Sequence, residues 1–259
     1  MIRAIMSGCN GKMGQVITGI CKEDAEIEIV AGIDLYDGIK NDYPVFPNIS
    51  VCDVAADVII DFSNAKAVDD LLVYSVDKQI PVVLCTTGLS EEQLKKVDGA
   101  SKKVAVLKSA NMSLGINMLM ELLKQAATIL APAGFDMEIV EKHHNQKLDA
   151  PSGTAITLAE GVIAGLPAKT EWVNYAPGIE HAANRIGSPA EATPEQVVIG
   201  SVREGMVPGI HTVTYESEDD ILELKHTIKN RRTLAMGAVI AAEFLCGKQG
   251  VYSMDDLLK

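Results

Sequence analysis

A strand-sized apolar run, Ile2–Met6, leads into Gly8-Cys9-Asn10-Gly11-Lys12-Met13-Gly14 and then into an amphipathic segment, Lys12–Cys21. Three glycines at a strand-to-helix junction confine the chain to few folds. A turn without side chains lets backbone N–H groups approach an anion, and the N-terminus of the following helix adds positive potential. The spacing is G-x-x-G-x-x-G rather than the commoner G-x-G-x-x-G, but the physical requirement is similar. A second apolar run, Ile27–Ile33, ends at Asp34, twenty residues after Gly14. A carboxylate there suits the hydroxyls of an adenosine ribose. Glycines alone would mark only a tight turn; strand, helix, second strand and acid in register point to a bound dinucleotide.

The same alternation continues along the first half. Asp57–Phe62, Pro81–Cys85 and Val104–Leu107 read as strands, and Ala65–Val76 and Glu91–Ala100 as helices, the latter opened by a Ser90/Gln93 capping box. The strands are apolar without alternation, as in a parallel sheet covered on both faces. Ligands of such sheets bind beyond the carboxyl ends of the strands. Two further loops stand there: Cys85-Thr86-Thr87-Gly88 and Ser109-Ala110-Asn111-Met112-Ser113.

The pattern changes near residue 115. A long apolar helix, Gly115–Leu130, stops at Pro132, and period-two strands follow at Phe135–Glu141, Val197–Val202, His211–Glu216 and Ile221–Ile228. The last two are joined by an acidic turn, Glu218-Asp219-Asp220, as in a hairpin. Gly187–Glu195 reads as an exposed loop, and Thr233–Cys246 as a core helix returning to the first domain. The expected fold is therefore α/β: a Rossmann-type parallel sheet domain (1–114 and 231–259) plus a second α+β domain (115–230) with a mixed, one-sided sheet.

Composition narrows the partners. The chain of 259 residues carries 23 Lys+Arg against 35 Asp+Glu, a net charge of −12 that disfavours nucleic acid and anionic membranes. The most apolar stretch identified, Leu234–Ile240 with Ala241 and Ala242, is far short of the ~20 residues of a membrane span. The N-terminus lacks the pattern of a secretory signal. Five scattered cysteines without a C-x-x-C suggest neither a disulfide framework nor structural zinc, and fit a reducing cytoplasm.

The few cations gather in one place. Phe135–Glu141 runs into Lys142-His143-His144-Asn145-Gln146-Lys147-Leu148-Asp149-Ala150-Pro151-Ser152-Gly153-Thr154. In a regular strand His143 and His144 would face opposite sides, so both reach one site only if the strand ends there. Ser152 is a plausible N-cap of a helix Ala155–Ile163, leaving the N–H groups of Gly153 and Thr154 for an anion. A lysine, titratable imidazoles and a helix start suit a carboxylate substrate that needs proton transfer. A histidine pair can also bind metal, but no third ligand stands at a supporting spacing, and no metal is expected. His181, His211 and His226 read as structural or supporting.

These segments resemble the 4-hydroxy-tetrahydrodipicolinate reductase (dihydrodipicolinate reductase) family. The resemblance rests on Gly8–Gly14, Cys85–Gly88, Ala110–Gly115, the His-His-x-x-Lys-x-Asp-Ala-Pro-Ser-Gly-Thr run, Gly200–Gly205, Gly209–Thr212, and Arg232 with Gly237-Ala238. It implies an NAD(P)H-dependent oxidoreductase of the diaminopimelate route to lysine, acting on a small dicarboxylate and assembled as a homotetramer through the second-domain sheets. It further implies that Gly8, Cys9, Asn10, Gly11, Lys12, Met13, Asp34, Cys85, Thr86, Thr87, Ser109, Ala110, Asn111 and Met112 hold the nicotinamide cofactor. His143 and Lys147 would be catalytic, and His144, Ser152, Gly153 and Thr154 would bind substrate. Leu35 stands where NADPH-using members often carry a cation; with Asp34 before it, NADH is the expected preference over NADPH. Met112 stands where an aromatic is common, leaving a thioether to pack on the nicotinamide. The Ser188–Thr193 loop lacks the arginine associated with the family. The alternative is a related NAD(P)-dependent amino or diamino-acid dehydrogenase sharing the first domain. A nucleotide-sensing protein without turnover would not need the His-His-x-x-Lys cluster.

Overall fold

The computed structural model describes residues 1–166 and 168–259, which form two compact units, Met1–Leu114 with Arg231–Lys259 and Gly115–Asn230. In the first unit β1 (Ile2–Ser7) leads through the glycine loop to α1 (Lys12–Glu23) and β2 (Ile27–Ile33). β3 (Val45–Phe46), β4 (Val58–Asp61), α2 (Val68–Lys78), β5 (Val82–Leu84), α3 (Glu91–Ser101) and β6 (Val106–Lys108) follow. The expected helix Ala65–Val76 is divided: Ala65–Ala67 is a 3-10 turn whose first donor, Lys66 N–H, is held by the Asn64 side chain, and α2 begins after it.

The second unit contains α4 (Leu114–Leu130, all but its first residue), β7 (Asp136–His143), α5 (Gly153–Gly165), β8 (Glu171–Tyr175), β9 (Arg185–Ile186), β10 (Gln196–Arg203), β11 (Ile210–Glu216) and β12 (Ile221–Thr227). α6 (Arg232–Leu245) and β13 (Val251–Tyr252) belong to the first unit.

The first sheet has the order β13-β6-β5-β4-β1-β2-β3, with every strand pair parallel. The central residues of its strands are apolar on both sides because both faces are covered. Ala4, Met6, Val58, Ile60 and Leu107 face one core with α1 and α6, whereas Ile5, Ile59, Val82, Leu84 and Val106 face the other with α2 and α3. All the strands run the same way, so the loops after β1, β4, β5 and β6 emerge at one edge.

The second sheet, β12-β11-β7-β10-β8-β9, is mixed: β11 runs antiparallel to β7 and β12, and the rest pair in parallel. The fold class read from the sequence is the one observed. The expected hairpin is β11–β12. β8 and β9 were not foreseen; each is short and carries polar residues, β8 being held by pairing with β10 and β9 by pairing with β8. Leu119, Leu123 and Ala127 of α4 and Leu158, Ala159 and Val162 of α5 cover one face of this sheet. The 20-residue stretch Leu114–Ala133 contains an 18-residue window of mean hydropathy 1.2 and is long and apolar enough to cross a membrane by length and composition. Its inner side is part of a packed core.

Candidate active site

In the first unit, Gly8 takes φ +80°, and a Cβ there would come within 2.5 Å of the Phe62 carbonyl oxygen. A Cβ at Gly14 would come within 2.6 Å of the Cys9 carbonyl oxygen. Only glycine therefore closes this loop against β4 and against itself. α1 starts at Lys12 with Gly11 as N-cap and no side-chain cap, so no side chain takes the donors of its first turn. Asp34 closes β2, and its carboxylate accepts the Asn10 N–H at 2.9 Å and the Tyr36 N–H at 3.0 Å. The Asn10 side chain donates to the Tyr36 carbonyl, so loop and acid form one unit. A cavity of about 890 Å³ opens here, lined by Gly8, Gly11, Asp34, Leu35, Ser63 and Lys66 among others. Lys66 supplies a cation to it that sequence proximity to Asp34 could not reveal.

The remaining expected cofactor residues divide by orientation. Lys12, Thr87 and Ala110 are exposed, and Met13 is half-buried. Ser109 and Asn111 brace their own loop: the Ser109 hydroxyl donates to the Asn111 carbonyl at 2.9 Å, and the Asn111 side chain accepts the Ser113 N–H at 3.0 Å. Cys9, Cys85 and Met112 turn into the core. The Met112 thioether is not displayed on the loop surface, because its burial with α6 is the apolar alternative.

Sequence reading missed Asp61, seen only as the end of a buried strand. Its fully buried carboxylate accepts the hydroxyls of Ser63 and Thr86, both at 2.6 Å. Burial pushes this carboxyl up, against the pull of those hydrogen bonds. Asp61 thereby ties together the loops after β4 and β5. The available signal was an acid closing an apolar run at the loop edge of the sheet.

In the second unit, the helix-covered face of the sheet changes character at one level. β7 presents Met137 and Ile139, then Glu141 and His143; β10 presents Val197 and Ile199, then Ser201 and Arg203; antiparallel β11 presents Tyr215 and Val213, then His211. Register aligns Glu141 with both Ser201 and His211, and His143 with Arg203. A polar cluster therefore forms where the apolar core stops. The period-two pattern in each strand held this information, but pairing across it was not legible.

Glu141 is the centre of that cluster and is fully buried. One carboxylate oxygen accepts Arg203 Nη2 at 2.9 Å and the Ser152 N–H at 3.2 Å; the other pairs with His143 Nδ1. Burial opposes the carboxylate, but the hydrogen bonds from His143 and Arg203 outweigh it and hold the group at about 2. His211 lies edge-on to His143 with ring centroids 5.2 Å apart, and its Nε2 is 3.2 Å from the Ser152 hydroxyl. Burial first, and the neighbouring charge of His143 second, push His211 down to about 3. It is a neutral supporting ring.

Arg203 also reaches forward, donating to the Lys147 carbonyl at 3.3 Å and the Asp149 carbonyl at 2.6 Å. The loop carrying Lys147 is thus pinned to Glu141 through one guanidinium, and Lys147 Nζ lies 2.8 Å from Asp149. β7 ends at His143, so His144 leaves the strand; its Nδ1 is buried without a partner. Ser152 caps α5 through Ala155 N–H and is 2 % exposed, whereas Gly153 is exposed at the helix start and Thr154 half-buried. Ser152 is therefore occupied inside the cluster, with its hydroxyl turned toward His211. Of the expected residues, His143, Ser152 and the backbone around Lys147 meet through Glu141 and Arg203, neither of which had been given a role. No group of three or more His, Cys, Asp or Glu among the described residues could hold a metal ion.

Residues 2–112 match the family described as dihydrodipicolinate reductase, N-terminus, and residues 115–258 match dihydrodipicolinate reductase, C-terminus. The chain is 45% identical over 261 residues to a 4-hydroxy-tetrahydrodipicolinate reductase of Clostridium novyi, covering 100% of this chain and 99% of that one. It is 44% identical over 264 residues to the one of Caldanaerobacter subterraneus subsp. tengcongensis, with the same coverage. Among solved structures, the dipicolinate-bound dihydrodipicolinate reductase from Paenisporosarcina sp. TG-14 shares the fold at a TM-score of 0.81, 24% identity and coverage of 98% and 97%. A DAP dehydrogenase of C. glutamicum in complex with DAP gives 0.54 at 13% identity, covering 98% and 92%.

The buried cluster makes stability depend on acid. His211 binds its proton near 6.5 when unfolded and near 3 when folded, so its contribution is complete above pH 6.5 and is lost as pH falls toward 3. Glu141 adds a loss between about 4.5 and 2. Thermal unfolding followed against pH should show a falling midpoint below pH 6.5, and His211→Gln should flatten the portion above pH 4.5. An unchanged slope in that variant contradicts the assignment.

Proposed function

Because the chain belongs to the dihydrodipicolinate reductase family, matched in both its parts, we propose that it reduces 4-hydroxy-tetrahydrodipicolinate to tetrahydrodipicolinate in the diaminopimelate route to lysine. The chain is an NAD(P)H-dependent oxidoreductase. A glycine loop alone serves many dehydrogenases. The observation that carries the reading further is the His143 and Lys147 segment, braced by a buried carboxylate and opening onto a helix start.

The closed glycine loop and the anchored Asp34 fit a dinucleotide. Gly8 to Met13 and the start of α1 would hold its pyrophosphate, Asp34 its ribose hydroxyls, and the Cys85–Thr87 and Ser109–Met112 loops the nicotinamide end. The nicotinamide, when bound, supplies the hydride. In the second unit, the N–H groups of Gly153 and Thr154 receive one carboxylate of the substrate, with His144 toward the other. Ser152 acts behind them by capping α5. Loss of the 4-hydroxyl as water gives the conjugated ring, and hydride addition to that ring leaves charge that a proton must quench at the neighbouring carbon. His143 and Lys147 are assigned that transfer, a contribution of roughly 10²–10⁴ in rate.

The two carboxylate oxygens of Asp34 already face backbone N–H groups, and Leu35 adds no cation. A 2′-phosphate would meet this charge, which favours NADH; Lys66, which lines the same cavity, moderates the preference. The free cysteines accord with a cytoplasmic enzyme. The uncovered face of the second sheet, with Val140, Val198 and Val202 partly exposed, accords with a homotetramer joined through these sheets.

Two outcomes are expected. Lys147→Ala should lower kcat by about 10²–10⁴ while cofactor affinity stays within a few-fold, measured by NADH oxidation with freshly formed substrate. Unchanged turnover removes Lys147 from the mechanism. The same assay with both cofactors should give a higher kcat/KM for NADH; equal values, or a higher one for NADPH, reject the role given to Asp34.

A further inference from the structure

Two features of the second unit are not explained by substrate contacts: a charged carboxylate sealed under the site, and a glycine beside the histidine. Glu141 is fully buried and has no route to a ligand. Its hydrogen bonds go to His143 Nδ1, to Arg203 and to the Ser152 backbone. Gly209 has no positive φ to demand glycine, yet a Cβ built there would stand 3.1 Å from His143 Nε2 and 3.5 Å from its Cδ2. The next nearest atom is Ile228 Cδ1, at an ordinary 3.7 Å. Among the described residues no hydrogen bond engages Nε2, and the His143 side chain keeps 10% of its surface exposed.

We infer that Glu141 is a positioning residue that fixes the proton on Nδ1 of His143, and that Gly209 keeps Nε2 uncovered as the nitrogen that exchanges protons with the ligand. The inference rests on the proposed reductase activity for its kinetic consequence, but not for its geometry. A carboxylate acceptor at Nδ1 sets which ring nitrogen holds hydrogen in the neutral imidazole. Nε2 is then the basic atom, and protonation there creates a cation that faces Glu141. Arg203 compensates the same carboxylate and, through the Lys147 and Asp149 carbonyls, holds the second proposed proton carrier to the same anchor. Both carriers are therefore registered by one ion pair.

The groups acting on His143 are Glu141 on its own strand, Arg203 from β10, His211 from β11 with His226 opposite it on β12, and Lys147 and Asp149 of the following loop. Among them, only Glu141 is both anionic and in contact with the ring. Replacing it removes the acceptor without removing the ring.

The test uses the full-length protein labelled with ¹⁵N-histidine, free of ligand, with the His143 signals assigned by their loss in His143→Gln. As pH rises, the proton should leave Nε2 while Nδ1 stays protonated. In Glu141→Gln the proton loss should be shared between the nitrogens. That variant should also lose roughly 10²–10⁴ in kcat with KM for NADH within three-fold. Loss of the proton from Nδ1 in the unsubstituted protein overturns the inference, as does a Glu141→Gln protein in which Nε2 alone still loses the proton or kcat is unchanged. Where Glu141→Gln does not fold, the titration of the unsubstituted protein still decides which nitrogen exchanges. Gly209→Ala then supplies the second arm: a folded protein with at least ten-fold lower kcat supports an open Nε2, and full activity rejects it. If the unsubstituted enzyme turns over no 4-hydroxy-tetrahydrodipicolinate, the proposed activity fails, while the nitrogen titration still judges the geometry.

Discussion

The second unit is organised around one buried ion pair. Removing a carboxylate from water costs several kcal/mol, so an unpartnered Glu141 would be excluded from this position. Arg203, His143 and the Ser152 N–H together satisfy it. The partners come from β10, from β7 itself and from the start of α5. Satisfying one charge therefore fixes two strands and a helix relative to one another. Arg203 passes the constraint on to the backbone of Lys147 and Asp149. A loop that would otherwise be solvated and mobile is tied to the sheet.

The first unit solves a comparable problem with a carboxyl of the opposite tendency. Asp61 is held by hydroxyls rather than by cations, and burial raises its proton affinity. The difference follows from surroundings. Around Asp61 the donors are uncharged hydroxyls and a backbone N–H, so burial dominates. Glu141 lies under imidazole and guanidinium groups, where an ionised brace adds attraction. The net charge of −12 describes neither site. Backbone N–H groups at two helix starts and a few gathered cations set the local potential.

Much of the fold was legible because its causes are local. Uninterrupted apolar strands gave the parallel sheet, since both faces are covered, and the Ser90 and Ser152 caps marked helix starts where they are found. The glycine loop with Asp34 and the run from His143 to Thr154 were legible because their residues are contiguous or evenly spaced. Arg203 and His211 lie 62 and 70 residues beyond Glu141 and reach it only through strand register. Nothing in a single sequence fixes that register. β8 and β9 escaped for the same reason, being short strands stabilised by their neighbours. Met112 and Ser152 were found by position, but their side chains answer to packing: the thioether joins the core, and the hydroxyl is taken by Ala155 N–H and His211.

The central claim is that Glu141 remains ionised although it is buried, and it can be measured directly. The protein labelled with ¹³C at the glutamate side-chain carboxyl, compared with Glu141→Gln to identify the resonance, reports the charge of this one group across pH. The account predicts a carboxylate shift that does not titrate until pH approaches about 2 or the fold is lost. A Glu141 carboxyl that titrates at or above its ordinary value of 4.5 in the folded protein would contradict it.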